Sequence, residues 1–263
     1  MEIIIYHEHS MHTVHTIMPL TNLRVHIAPV GFEIDRIVLP AKEMKADKIW
    51  LLVHDKPNED KATPFVEKIQ KQLKKANVKV VKEYHDRLDL FQIIKTVKKI
   101  IETEKENNVY VNLASGSKIQ AIACMMTCMM YNKQKNVVPF YAEAKDYLGF
   151  SGEQLSTGIK NITEVPTYEI QKPDNKLIQA LKIIKDNKGK ITKKEMAELA
   201  DQQKLIQINA EEENYSQARF ASLDQNIIQP LLERWNFIEI EKIGRNRWIK
   251  ITQEGINASE FLL

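Results

Sequence analysis

The sequence contains few of the residues and runs that define fibrous, secreted or membrane-inserted proteins. Its 263 residues include only 2 Cys, 8 Gly and 9 Pro, which excludes a disulfide framework and a collagen-like repeat. No apolar run approaches the length of a bilayer span, so neither export nor membrane insertion is indicated. We therefore expect a globular, cytoplasmic protein without a membrane partner.

The chain also lacks a strong charge of either sign. Its formal net charge is +3, and residues 173–263 hold 14 basic and 14 acidic side chains. The charge composition of the C-terminal part therefore predicts no overall electrostatic attraction to the phosphates of nucleic acid. Any contact with nucleic acid must depend on a local basic patch.

Four histidines, His7, His9, His12 and His15, lie in the first 21 residues. A His-rich tract is only a compositional cue, because a fixed metal site needs ligands that folded structure places. We predict no metal site, and we interpret residues 1–21 as a poorly ordered extension.

Residues 22–168 alternate between short apolar runs and helical apolar stripes. Strands are predicted at 23–29, 48–55, 78–84, 108–114 and 136–144, with intervening helices that include 63–76, capped by Thr63, and 89–105. This alternation predicts an α/β fold with a Rossmann-like, doubly wound parallel sheet. Cys124 and Cys128 lie in a Met-rich helix and are interpreted as core residues.

Two loops follow predicted strands one and four, at the edge of the sheet where doubly wound folds bind ligands. In the first, Gly31 precedes Phe32 and lets the backbone approach a ligand. In the second, small residues and a lysine open a helix, an arrangement that favours anions: Ser115, Gly116, Ser117 and Lys118. The alternatives are a plain tight turn and a structural N-cap at Ser117. Both loops lack the dinucleotide and Walker A fingerprints, so no cofactor is predicted.

A proline-containing linker at 169–176 precedes a second pattern at 177–263. The pattern comprises a first helix, a second helix begun by a capping box at Thr192 and Glu195, and a long helix from about Ser216 to Trp235 that Pro230 kinks or divides. Two strands, 237–243 and 247–252, follow as a hairpin. Three helices and a hairpin predict a small α+β winged helix-turn-helix domain.

The third helix and the hairpin tip carry side chains suited to base edges and phosphates. The candidates for DNA contact are Gln217, Arg219, Ser222, Gln225, Asn226, Arg245, Asn246 and Arg247. A winged helix used for dimerisation or protein contact is the alternative, because a fold does not fix a function.

Three segments carry a family resemblance: RVHIAPVGFEIDRIV at 24–38, NLASGSKIQAIA at 112–123 and the hairpin region at 231–255. They resemble prokaryotic transcriptional regulators that join a CRISPR-associated Rossmann-fold (CARF) sensor domain to a winged helix-turn-helix. The resemblance implies a homodimer that binds double-stranded DNA and senses a cyclic oligoadenylate or related nucleotide. It assigns the loop at 115–118 to phosphate or ribose, and Gly31 with Phe32 to base or backbone.

Two other functions remain open at this point. Some similar sensor domains cleave their own cyclic ligand, and Ser117 with Lys118 could stabilise developing charge in such a ring nuclease. No general base is evident beside them, and we predict no catalytic residue. The other alternative is a dimeric adaptor that binds no ligand.

Overall fold

The computed structural model of the protein describes residues 22–134, 136–149 and 153–263. The predicted extension at 1–21, with its four histidines, lies outside the described residues. In the part of the chain that is described, no helix is long and apolar enough to cross a membrane.

A six-stranded sheet forms the centre of the N-terminal domain. Its strands are β1 (Arg24–Pro29), β2 (Lys48–His54), β3 (Lys79–His85), β4 (Asn108–Asn112), β5 (Val137–Tyr147) and β6 (Ser156–Glu164). The strand order is β3-β2-β1-β4-β5-β6, and only β6 pairs antiparallel to its neighbour. The predicted Rossmann-like class is confirmed. Strand order reverses between β1 and β4, the kind of switch point at which such sheets bind ligands.

Four helices cover the two faces of this sheet. Core residues of α1 (Asp35–Glu43) and α2 (Thr63–Lys75) pack on one face, and those of α3 (Leu90–Thr103) and α4 (Lys118–Met130) pack on the other. The apolar stripe of α3 recurs at helical spacing, which buries one side of the helix. Cys124 and Cys128 are fully buried in the second core, as the sequence predicted.

The predicted cap of α2 is wrong. The helix begins one residue earlier than predicted, so Thr63 is its first residue and the N-cap is Ala62, which has no side chain that can accept. The Thr63 hydroxyl donates to the Pro57 carbonyl at 2.6 Å. Strand β6 is absent from the sequence prediction, since its residues, STGIKNITE, contain no apolar run.

Pro40 lies inside α1 without ending it. A proline has no N–H, so the carbonyl of Arg36, four residues earlier, loses its helical donor. The side-chain amide of Asn112 replaces that donor with a 2.8 Å bond to the Arg36 carbonyl. The end of β4 is thereby tied to α1 at the switch point.

The C-terminal domain contains the predicted winged helix and two further elements. Its elements are α5 (Asn175–Asp186), β7 (Lys190–Thr192), α6 (Lys193–Gln202), α7 (Tyr215–Leu223), β8 (Ile238–Ile243), β9 (Asn246–Ile251) and α8 (Gln253–Leu262). The three strands form an antiparallel sheet in the order β7-β9-β8. The capping box at Thr192 and Glu195 is confirmed, whereas β7 and α8 are additions to the predicted pattern.

Helix α7 continues past its last α-helical residue. Two π-helical segments, Asp224–Ile228 and Pro230–Arg234, follow, and Gln229 between them keeps helical backbone angles. The helix therefore widens around Pro230 where the sequence predicted a kink or a division. In a π-helical turn each amide donates to the carbonyl five residues earlier. The Trp235 amide, for example, donates to the Pro230 carbonyl at 3.1 Å.

Candidate functional site

The loops after β1 and β4 touch through two glycines. A Cβ placed on Gly31 would lie 3.0 Å from the Gly116 Cα, and one on Gly116 would lie 2.5 Å from the Pro29 Cβ. Gly116 also has a φ of +78°, a conformation that side chains disfavour. The Ser115 hydroxyl donates to the Pro29 carbonyl at 2.8 Å and fastens the loops together. We refer to residues 29–32 and 112–118 as the paired loops.

The N-terminus of α4 opens directly from the second of the paired loops. Ser117 is the N-cap, and Gln120 completes a capping box, because its Oε1 accepts from the Ser117 amide at 2.9 Å. The first-turn amides of Lys118 and Ile119 have no acceptor within the helix. Lys118 is exposed and forms no ion pair with any described residue. Free amides, the helix dipole and a free ammonium together attract an anion.

The N-terminus of α1, by contrast, is already occupied. The side-chain oxygen of Gln154 accepts from the amides of Ile34 and Asp35, at 2.7 and 3.0 Å. A bound anion would have to displace this glutamine. The α4 terminus is therefore the better anion site, and no sequence signal distinguished the two helix ends.

The predicted ligand residues are thus brought together only in part. Gly31, Gly116, Ser117 and Lys118 lie along the contact between the paired loops. The Ser115 side chain is buried, and its hydroxyl is used between the loops. The Phe32 ring packs edge-on against Phe65, with ring centroids 5.5 Å apart.

Gln120 is the main residue of this site that sequence reasoning missed. It is 1% exposed, and its Nε2 lies 3.2 Å from the Nε2 of His85, which ends β3. The S-x-x-Q spacing at 117–120 is a capping-box signal and could have identified Gln120. Its contact partner His85 lies 35 residues earlier in the chain, so no local sequence pattern could have predicted this contact.

The outer face of α4 is unusually apolar for a helix that packs only one side against a core. Ile122 is 52% exposed, and Met125 and Met129, at the same helical face, are half-buried. A helix that is apolar on all sides is typical of one that is covered on all sides.

The winged helix contains a groove of about 620 Å³ between the start of α6, helix α7 and the hairpin tip. Its basic lining residues are Lys193, Lys194, Arg245 and Arg247. Glu195 is held in the capping box by Thr192, and the Lys193 ammonium lies 2.5 Å from an Asp224 oxygen. Sequence reasoning identified the two arginines but not the two lysines.

The predicted DNA-contacting residues fall into two groups. Arg219 faces into the domain, 3.7 Å from Asp201 and 4.0 Å from Glu198. The Ser222 hydroxyl donates to the Gln207 carbonyl at 2.8 Å, and the Asn226 amide bonds back to Ser222. Asn226 is nevertheless exposed, as are the remaining candidates: Gln217, Gln225, Arg245, Asn246 and Arg247. Among the described residues no group of three or more His, Cys, Asp or Glu side chains could hold a metal ion.

Two protein-family models match the chain, one in each domain. Residues 24–147 match a model described as HFX_2341_N-like, N-terminal, and residues 176–262 match the DUF6293 C-terminal winged helix domain. The predicted architecture, an N-terminal α/β domain followed by a C-terminal winged helix domain, is confirmed. A curated relative, uncharacterized protein MJ1513 from Methanocaldococcus jannaschii, is 29% identical over 210 residues, which cover 69% of this chain and 62% of the relative.

Solved structures are similar to this chain at low sequence identity. Csm6 from Enterococcus italicus, bound to cyclic hexa-2'-fluoro-hexa-dAMP, is 9% identical with a TM-score of 0.43, covering 81% of this chain and 56% of that one. Can2 from Sulfobacillus thermosulfidooxidans, in complex with cyclic tetra-adenylate, is 13% identical with a TM-score of 0.40, covering 91% and 63%. This chain spans less than two thirds of the length of each of these proteins and of the curated relative.

Proposed function

We propose, for a chain that joins an HFX_2341_N-like α/β domain to a DUF6293-type winged helix, a ligand-responsive DNA-binding transcriptional regulator. Its α/β domain binds a cyclic oligoadenylate or a related nucleotide, and its winged helix binds double-stranded DNA. The observation that carries the proposal is the contact between Gly31 and Gly116 beside the free α4 terminus. The choice of a cyclic oligoadenylate rests on the sequence resemblance to CARF regulators.

The paired loops support phosphate binding by their chemistry. Lys118 supplies a cation with no competing carboxylate among the described residues, and the first-turn amides supply donors. The Ser117 hydroxyl accepts from the Gln120 amide at 3.3 Å, which leaves its own proton free to donate. A charge-assisted bond of this kind contributes about 1.5–3 kcal/mol, enough to lower affinity by tenfold or more when it is lost.

The apolar outer face of α4 supports a homodimer. Ile122 and Met125 lie within two turns of the paired loops, so a second copy packed on this face would bring its own paired loops alongside. Two identical phosphate sites related by a two-fold axis suit a cyclic ligand with repeated phosphates.

The basic groove of the winged helix supports DNA binding despite the balanced charge of the domain. Lys194, Arg245 and Arg247 form no ion pair with described residues, and all three are exposed. Gln217 and Gln225 on α7 present amides of the type that reads adenine edges in the major groove. The lysine and arginines would contact phosphates and set the register on the duplex.

The ligand proposal is tested by calorimetric titration with cyclic tri-, tetra- and hexa-adenylate. We expect saturable binding of one ring size by the wild type, and a loss of at least tenfold in Lys118→Ala. Lys105→Ala is the matched control, since Lys105 is an exposed lysine just before β4, at the opposite edge of the sheet. No binding of any ring by the wild type would refute the ligand proposal, and a linear product after long incubation would indicate a ring nuclease instead.

The DNA proposal is tested by the salt dependence of binding to duplex DNA. Each lost phosphate contact reduces the slope of log K against log[salt] by about 1, so Arg245→Ala with Arg247→Ala should reduce it by about 2. Lys182→Ala is the control, because Lys182 is exposed on α5 outside the groove. An unchanged slope in the double variant would show that Arg245 and Arg247 do not contact DNA phosphates, and it would refute the groove as the DNA-binding surface.

A further inference from the structure

A short line of contacts joins the paired loops to the boundary between the two domains. Gln120 accepts from the Ser117 amide through Oε1 at 2.9 Å, and its Nε2 lies 3.2 Å from the His85 Nε2. Both side chains are almost fully buried, at 1% and 3% exposure. A Cβ on Gly116 would also lie 2.8 Å from the Gln120 Oε1, so Gln120 touches two residues of the loop.

The hydrogen bonds of Gln120 determine which atoms donate and which accept along this line of contacts. Because Gln120 Oε1 accepts from Ser117, its Nε2 is the donor that faces His85. The His85 Nε2 must therefore accept, which places the ring proton on Nδ1 and leaves the imidazole neutral. Burial lowers the pKa of His85 in agreement with a neutral ring, and the nearby His54 lowers it further.

His85 also lines a cavity of about 520 Å³ between the domains. Asp89 and Lys95 contribute to it from the sensor domain, and Asn257 and Glu260 contribute from α8 of the winged helix. The His85 imidazole thus contacts Gln120, the capping-box residue at the α4 terminus. The same ring lines the cavity to which the winged helix domain also contributes residues.

Helix α8 is held on both sides of that boundary. Its Phe261 ring stacks on Phe91 of α3, with centroids 5.9 Å apart and planes 4° from parallel. The Lys98 ammonium donates to the Phe261 carbonyl at 3.1 Å. On the other side, Glu260 pairs with Lys185 of α5 at 3.0 Å. A displacement of α8 relative to α3 would therefore carry the winged helix with it.

We infer that Gln120 and His85 are positioning residues that couple ligand binding at the paired loops to the placement of α8. The inference rests on the proposed function. A phosphate held by the free amides of Lys118 and Ile119 also lies beside the Ser117 amide, where it competes with Gln120, because that amide has one proton to donate. Once the Gln120 side chain is released from Ser117, its hydrogen bond to His85 shifts or breaks. The His85 ring can then move, and it lines the cavity to which α8 contributes Asn257 and Glu260. The ligand then shifts the equilibrium between two domain arrangements through a contact that differs between them.

The test measures the affinity of the full chain for duplex DNA with and without the cyclic oligoadenylate that the wild type binds. His85→Leu removes the acceptor for Gln120, and His85→Gln restores one through its side-chain oxygen. We expect ligand affinity in both variants to stay within about threefold of wild type, since neither touches the paired loops. In typical allosteric coupling a ligand changes the affinity for the second partner by about 5-fold to 150-fold. In His85→Leu the ligand should change DNA affinity by no more than about twofold, and in His85→Gln the wild-type change should return.

A second variant keeps the inference testable if His85→Leu does not fold. Phe261→Leu weakens the stacking on Phe91 without changing the sensor domain, and it should also reduce the ligand-induced change. Full coupling in His85→Leu, or in Phe261→Leu when the first variant is unfolded, would overturn the inference and leave the regulator intact. A wild type that binds ligand and DNA without coupling would overturn both this inference and the ligand-responsive function.

Discussion

Replacing Gly116 by alanine should destabilise the α/β domain through two separable effects. The φ of +78° imposes a left-handed strain on any residue with a Cβ, about 1–2 kcal/mol. The new methyl would also lie 2.5 Å from the Pro29 Cβ and 2.8 Å from the Gln120 Oε1, and overpacking of this kind costs about 1–3 kcal/mol. Gly116→Ala should therefore lower the free energy of unfolding by roughly 2–5 kcal/mol.

Gly244 offers a matched control for this variant. Its φ is +61°, and a Cβ there would meet nothing within 4 Å, so Gly244→Ala introduces the backbone strain alone. Urea denaturation followed by tryptophan fluorescence can report on the two domains separately, because Trp50 belongs to the α/β domain, and Trp235 and Trp248 belong to the winged helix. Equal destabilisation by the two substitutions would refute the close contact between the paired loops and the account of the site built on it.

Three further predictions concern the buried histidine, the cysteines and the dimer. Burial, aided by Arg24, lowers the pKa of His26 from 6.5 to about 4, so the unfolded chain takes up the proton first as pH falls. Stability is then complete above pH 6.5 and decreases toward pH 4 by about 3 kcal/mol; urea unfolding should show this dependence weakened in His26→Leu. Burial raises the pKa of the Cys124 thiol to about 12, and both thiols should react with a disulfide reagent only after unfolding. Ile122→Glu should halve the mass measured by light scattering if α4 forms the dimer contact, whereas a wild-type monomer would contradict the dimer itself.

The sheet and its helices were predictable because their signals are local. Ile93, Val97 and Ile100 recur at helical spacing in α3, and the glycines at 31 and 116 mark the loops that meet. The capping box at Thr192 likewise fixed the start of α6. Each of these features is decided within a few residues of sequence.

The remaining features depend on partners far away in the chain. Strand β6 is polar and exists because β5 offers it an edge, and helix α8 depends on packing against α3 and α5. Arg219 was predicted to contact DNA, but Glu198 and Asp201 from α6 lie beside its guanidinium. The Gln154 side chain that occupies the α1 terminus is more than 100 residues from it. No local pattern contains this information.

The touching glycines of the paired loops have a consequence for how the protein would respond in a cell. Gly31 and Gly116 bring the paired loops of one chain into direct contact. In the proposed homodimer, these loops form one wall of the ligand cleft, and the same loops of the second copy form the opposite wall. Capture of a ring-shaped molecule would then require two chains and one ligand. The threshold for a response would be set by how much of this protein the cell makes, as well as by how much signal it receives.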